Sequence, residues 1–109
     1  MATSYKILGQ LNPPANTQTT VYTTPAANST VISTITICNQ STTPATFCIA
    51  LQKAGASLSS QQYVNFNTPI PGSDTINLTL GLTMAATDVL SANANTASVS
   101  FNVFGSEIY

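Results

Sequence analysis

Val31-Ile32-Ser33-Thr34-Ile35-Thr36-Ile37-Cys38 is the stretch that decides the fold class. Val31, Ser33, Ile35 and Ile37 share one face of an extended backbone, and Ile32, Thr34, Thr36 and Cys38 share the other, the period of two of a β-strand. The alternation recurs downstream. Phe47, Ile49 and Leu51 alternate with Thr46, Cys48, Ala50 and Gln52; Ile76, Leu78, Leu80 and Leu82 with Thr75, Asn77, Thr79 and Gly81; Val99, Phe101 and Val103 with Ser98, Ser100 and Asn102. Strands of this kind are apolar towards a core and polar towards water.

Working outward, residues 5–8, 19–23, 63–68 and 88–92 are shorter strand candidates, while residues 84–87 read as a loop or, alternatively, the one helical turn of the chain. Pro13-Pro14, Pro25, Ser41-Thr42-Thr43-Pro44, Pro69-Ile70-Pro71-Gly72, Asn93-Ala94-Asn95 and Gly105 punctuate the chain at strand-length intervals. The reading is an all-β fold of seven to eight strands, either an antiparallel β-sandwich, jelly-roll-like, or a small barrel. At 109 residues the chain is expected to form a single domain, 1–109, with residues 1–14 either an extended N-terminal arm or a first strand of its own sheet.

The two long runs either side of residue 43 suggest a hairpin. Residues whose numbers sum to 86 would then face each other, placing Ile37 opposite Ile49, Ile35 opposite Leu51, and Cys38 opposite Cys48. Directly opposed strand residues satisfy the Cα separation of about 4.4–6.8 Å that a disulfide needs. The alternative is two reduced thiols packed as small hydrophobes, as suits cytoplasmic synthesis.

Charged residues make up 5% of the chain, against about 25% in an average soluble domain, while Ser, Thr, Asn and Gln supply about 40%. The cations are Lys6 and Lys53, the anions Asp74, Asp88 and Glu107, with no Arg or His. Such a set cannot build a basic groove for phosphate backbones, which excludes nucleic acid as a partner. Little charge also means little repulsion between copies and little response to salt, the profile of a protein that lives in an assembly. No apolar run approaches the roughly 20 residues of a membrane span, and the first residues lack a signal-peptide h-region, so membrane partners and Sec-type export are not expected.

Enzymatic chemistry finds no footing. Ser or Thr nucleophiles need a base, and His is absent. The three acids stand at separate strand or chain ends, where Asp74 and Asp88 read as turn and cap residues. Two Cys without His make no zinc site, so neither catalytic residues nor cofactors nor a metal are assigned. Tyr63 and Tyr109 are the aromatics best placed for carbohydrate contact, without a Trp to support them.

Several segments carry a family resemblance: Tyr5-Lys6-Ile7-Leu8-Gly9-Gln10, Val21-Tyr22-Thr23 to Pro25, Ser33-Thr34-Ile35-Thr36-Ile37-Cys38-Asn39-Gln40-Ser41, Gly55-Ala56 with Gln62-Tyr63, Asp74-Thr75, Leu78-Thr79-Leu80-Gly81-Leu82, and Phe101-Asn102-Val103-Phe104-Gly105-Ser106-Glu107-Ile108. The chain resembles small virion structural proteins of tailed bacteriophages, particularly cyanophages. The resemblance implies a non-enzymatic capsid decoration or cement protein, made in the host cytoplasm and located on the outer capsid surface of the virion. Its partners would be the major capsid protein and further copies of itself, as a trimer or other homo-oligomer. A tail, baseplate or fibre component in host attachment or carbohydrate recognition is the alternative. The partner interface is expected in the two terminal segments, at Tyr5, Ile7, Leu8, Leu11, Pro13 and Pro14, and at Phe104, Ile108 and Tyr109. Pro13-Pro14 would stiffen an arm laid along a neighbour, and deletion of residues 1–14 would then abolish capsid binding without unfolding the domain.

Overall fold

A computed structural model describes residues 2–79 and 81–109 of the chain. Among these the chain forms nine strands: β1 (Thr3–Leu11), β2 (Thr19–Thr23), β3 (Ser29–Asn39), β4 (Ala45–Gln52), β5 (Tyr63–Ile70), β6 (Thr75–Leu78), β7 (Leu82–Met84), β8 (Val89–Ala94) and β9 (Val99–Ile108). One sheet has the order β1-β9-β3-β6, with β7 also on β3, and the other the order β2-β8-β4-β5. All pairings are antiparallel. With β7 set aside, two four-stranded sheets in this order make a jelly roll, so the sandwich is the architecture and the barrel is not.

The alternating runs became strands, and their apolar faces meet in one core. Ile32, Ile35, Ile37, Phe101 and Val103 of the β1-containing sheet pack against Phe47, Ile49, Leu90 and Ala92 of the other. Phe47 and Phe101 join the two layers edge to face, with ring centroids 6.2 Å apart. Such a pair adds about 0.5–1.5 kcal/mol beyond its buried area.

Four expectations are corrected here. First, β3 and β4 do not form a hairpin; they lie in different sheets and their apolar faces oppose each other across the core. Alternation fixes which face is inside but not which strand is the neighbour. The corner between them is tied by Asn39, whose side-chain amide donates to the Thr43 carbonyl at 2.9 Å and accepts from the Ser41 N–H at 3.0 Å. Cys38 consequently lies beside Ser100 and Thr75, Cys48 lies beside Asn93, and both are free thiols. They occupy the outer faces of opposite sheets, beyond the reach of a disulfide, since packed sheets stand about 10 Å apart.

Second, the face of β3 changes partway. Ile32, Ile35 and Ile37 are buried while Val31 is not, because Ser33 is an extra residue in the pairing with β9 and shifts the register by one. Third, the run from Ile76 to Leu82 is two short strands, β6 and β7, both on β3. Gly81 adopts a left-handed φ of 62° just before β7, which a continuous strand does not allow, and Leu80 lies outside the described residues. Fourth, of the two readings left open for residues 1–14 the arm gives way to the strand: residues 3–11 form the edge strand β1, paired with β9 from Thr3↔Ile108 to Leu11↔Phe101. Pro13 is buried, and the segment crosses to the second sheet through the hydrogen bond from the Asn16 N–H to the Ala94 carbonyl at 2.7 Å.

Candidate functional site

Side chains of directly opposed residues point to the same side of a sheet, so the register defines what the outer face of the β1-containing sheet presents. At one end stand Tyr5 and Ile7 of β1, Phe104 and Ile108 of β9, and Val31 of β3. Tyr5 is 84% exposed, Ile7 54% and Tyr109, next to Ile108, 57%. Tyr5, Ile7, Val31 and Phe104 line one shallow depression together with Ser33 and Ser106. At the other end the same face is polar and already satisfied: Gln10 donates to Asn102 at 2.8 Å and Thr36 to Asn77 at 2.9 Å. The face is thus self-paired in its polar half and bare in its apolar half.

The structure thus divides the expected interface residues. Tyr5, Ile7, Phe104 and Ile108 gather at the exposed apolar end, while Tyr109 is exposed at the strand terminus but in phase with the inward Glu107, and Pro14 is exposed but separate. Leu8 packs half-buried against the core, Leu11 is half-buried on the inner face opposite Phe101, and Pro13 is buried, so none of the three belongs to the outer apolar face. The deletion of residues 1–14 would strip an edge strand from the sheet and is no clean test of binding.

On the inner side of β1 lies a polar cluster that the sequence reading missed. The Lys6 ammonium stands 2.5 Å from Glu107 Oε1, and the Tyr22 hydroxyl donates to Glu107 Oε2 at 2.5 Å. Thr30 Oγ1 lies 2.8 Å from the same hydroxyl. Glu107 is 6% exposed. Hydrogen bonds from Lys6 and then Tyr22 hold its carboxyl below the usual carboxylate range. Burial, with the neighbouring carboxylate, pushes the Tyr22 phenol up to about 12. The signal was present in the alternation: Phe101 and Val103 point inward, so Gly105 and Glu107, two and four residues on, must as well. This arrangement ties β1 to β9 and β2; it locks an edge and leaves Glu107 no room for another ligand.

Asp74 and Asp88 take the structural parts expected of them. Asp74 accepts from the Thr75 N–H at 2.8 Å, and Asp88 accepts from the Ala54 N–H at 2.8 Å and the Ala85 N–H at 2.9 Å. On the outer face of the second sheet, Gln18, Ser91 and Gln52 form a chain with bonds of 2.7 and 2.6 Å, continued by Asn93 donating to Gln18. Near edge strand β5, Tyr63 and Phe66 meet edge to face at 4.9 Å, and Phe66 is 64% exposed.

No family model matches the chain, and no curated protein matches it. Among solved structures it is similar, over 95% of its length, to a pentameric capsid protein isolated from metagenomic phage sequences, at 19% identity and a TM-score of 0.41. The chain spans 63% of that protein's length.

Proposed function

We propose that the chain is a structural protein of a bacteriophage virion: a decoration or cement protein that binds the major capsid protein on the outer surface of the shell. The observation that carries this reading is the bare apolar end of the β1-containing sheet, where Tyr5, Ile7, Phe104 and Ile108 are gathered on a molecule with almost no charge elsewhere. The resemblance of the terminal segments to small virion proteins supplies the class of partner. The jelly roll agrees with it but does not decide it, since viral capsid and lectin domains both use that fold. Repetition over a closed shell converts a modest contact per copy into tight occupancy.

Phe104→Ser with Ile108→Ser tests the contact. The double variant should keep the β-sheet circular dichroism of the parent and lose at least tenfold in affinity for purified shells lacking the protein, read by co-sedimentation. Undiminished binding would move the contact elsewhere. A second reading, a tail or fibre part that touches carbohydrate, draws on the exposed Phe66 beside Tyr63, because sugar rings stack on such aromatic faces.

A further inference from the structure

The free side of β1 has a definite hydrogen-bonding pattern. Ala2 and Tyr109 exchange both backbone bonds, Ala2 N–H to Tyr109 carbonyl at 2.5 Å and Tyr109 N–H to Ala2 carbonyl at 2.9 Å. In an antiparallel ladder such reciprocal pairs recur at every second residue, and the register from Thr3↔Ile108 to Ile7↔Phe104 is continuous with this one. Ser4 and Lys6 therefore direct their N–H and C=O groups to β9, while Thr3, Tyr5 and Ile7 direct theirs to the open edge. The pattern stops at Leu8, where β1 bulges. At Gly9 the second sheet closes in, since a Cβ there would stand 2.5 Å from the Val21 carbonyl oxygen.

We propose that this edge pairs with the same edge of a second copy, antiparallel, about a two-fold axis through Tyr5. Thr3 then opposes the partner copy's residue 7, Tyr5 opposes residue 5, and Ile7 opposes residue 3. Every outward N–H and C=O of the run finds a mate. No other occupant is needed to complete the ladder, because the run is self-complementary in length and phase. The side chains agree with the backbone. Tyr5, Thr3 and Ile7 lie on the outer face, so Tyr5 meets its own copy with Ile7 diagonally beside it, an aromatic cross-strand pair with a β-branched neighbour.

Charge decides the register. An inward-pointing Lys on an edge strand ordinarily deters strand addition. Here the Lys6 ammonium is matched by Glu107 of its own chain at 2.5 Å. In the proposed register Lys6 opposes the partner's uncharged residue 4. A shift by two residues would set the two Lys6 positions opposite each other and push Thr3 past the bulge. With a net charge of −1 per chain, little repulsion separates two copies. The two apolar outer faces become continuous across the axis, since opposed residues share a face. The argument stands on the edge alone and not on the shell reading, so its test uses the isolated chain.

Sedimentation equilibrium of the full chain over about 5–500 μM reads a monomer–dimer equilibrium. Tyr5→Pro removes an outward N–H and no bond to β9, and should raise the dissociation constant at least tenfold; Ile7→Lys should do the same by placing charge on the seam. Under mild oxidant, Tyr5→Cys should yield a covalent dimer, because hydrogen-bonded opposed residues stand about 5.5 Å apart at Cα. Gln10→Cys, beyond the bulge, should yield none above the wild-type background. A monomer throughout the range, a dimer indifferent to both Tyr5→Pro and Ile7→Lys, or equal cross-linking at residues 5 and 10 overturns the proposal. So does a Tyr5→Cys chain that is monomeric alone and cross-links only to another polypeptide in assembled particles, which would make the occupant a foreign strand.

Discussion

Glu107 is a carboxylate placed on the core side of β9, and its burial at 6% exposure makes it the most consequential charge in the chain. Its side chain accepts from Lys6 and Tyr22. Glu107→Gln keeps the shape but turns an acceptor into a donor facing two donors, so a loss of about 1–3 kcal/mol in unfolding free energy is expected by denaturant titration. The pH dependence has a definite sign. The folded pKa is depressed below the ordinary value of 4.5, so the stabilisation is present above that pH and fades as pH falls through the folded pKa. The wild-type melting temperature should drop there and converge on that of Glu107→Gln. Tyr22 runs the other way. Its pKa rises from 10.0 to about 12, so its contribution is full below pH 10 and is lost as pH climbs towards 12. Ultraviolet titration should show one late phenol ionisation, near pH 12, and Tyr22→Phe should remove that late step.

At the scale of strands, the two bulges explain how β9 fits between its neighbours. Leu8 on β1 and Ser33 on β3 are each an extra residue opposite the same short stretch of β9, around Phe104 and Gly105. The sheet is thereby tightened at Gly105, where a Cβ would stand 2.1 Å from the Val31 carbonyl oxygen and 3.0 Å from a Leu8 methyl carbon. A backbone oxygen cannot swing aside as a side chain can. Gly105→Ala should therefore cost about 2–3 kcal/mol or more, measured by thermal or chemical unfolding, as overpacked sites do.

The same elements show what could be read in advance. Thr19–Thr23 was legible to the residue, and the inward faces of β4 and β9 were legible from alternation alone. Ser33 was not, because a bulge adds a residue without any marker such as Gly or Pro. The partnership of β3 was not legible either. Strands facing each other across a core and strands side by side in one sheet show the same period of two. The loop at residues 40–44 looks like a hairpin turn until Asn39 is seen to bind it into a corner. Of the candidate surface, Tyr5 and Ile7 were found as terminal apolar residues, whereas Leu8 is in phase with the inward Lys6 and Leu11 turned inward because the bulge at Leu8 reverses the facing of β1 beyond it.

For the whole molecule, the near-absence of charge sets its behaviour in solution. The Lys6–Glu107 pair is the close ion pair among the described residues, and it is partly shielded from solvent ions by Glu107's burial. Between low salt and about 0.5 M NaCl the melting temperature should change by no more than about 2 °C, since there is little exposed charge to screen. A shift of several times that size would mean that charge contributes more than this distribution allows. The polar surface of such a neutral module is built from hydroxyls and amides, and the proposed shell-binding role rests on the apolar end that Tyr5, Ile7, Phe104 and Ile108 leave bare.

The most direct test of that role is a count. Quantitative mass spectrometry of purified virions, with the major capsid protein as the internal standard, should find this chain in hundreds of copies, near one per capsid subunit. A dozen or a few dozen copies would assign it to a neck, tail or fibre and contradict the shell-binding account.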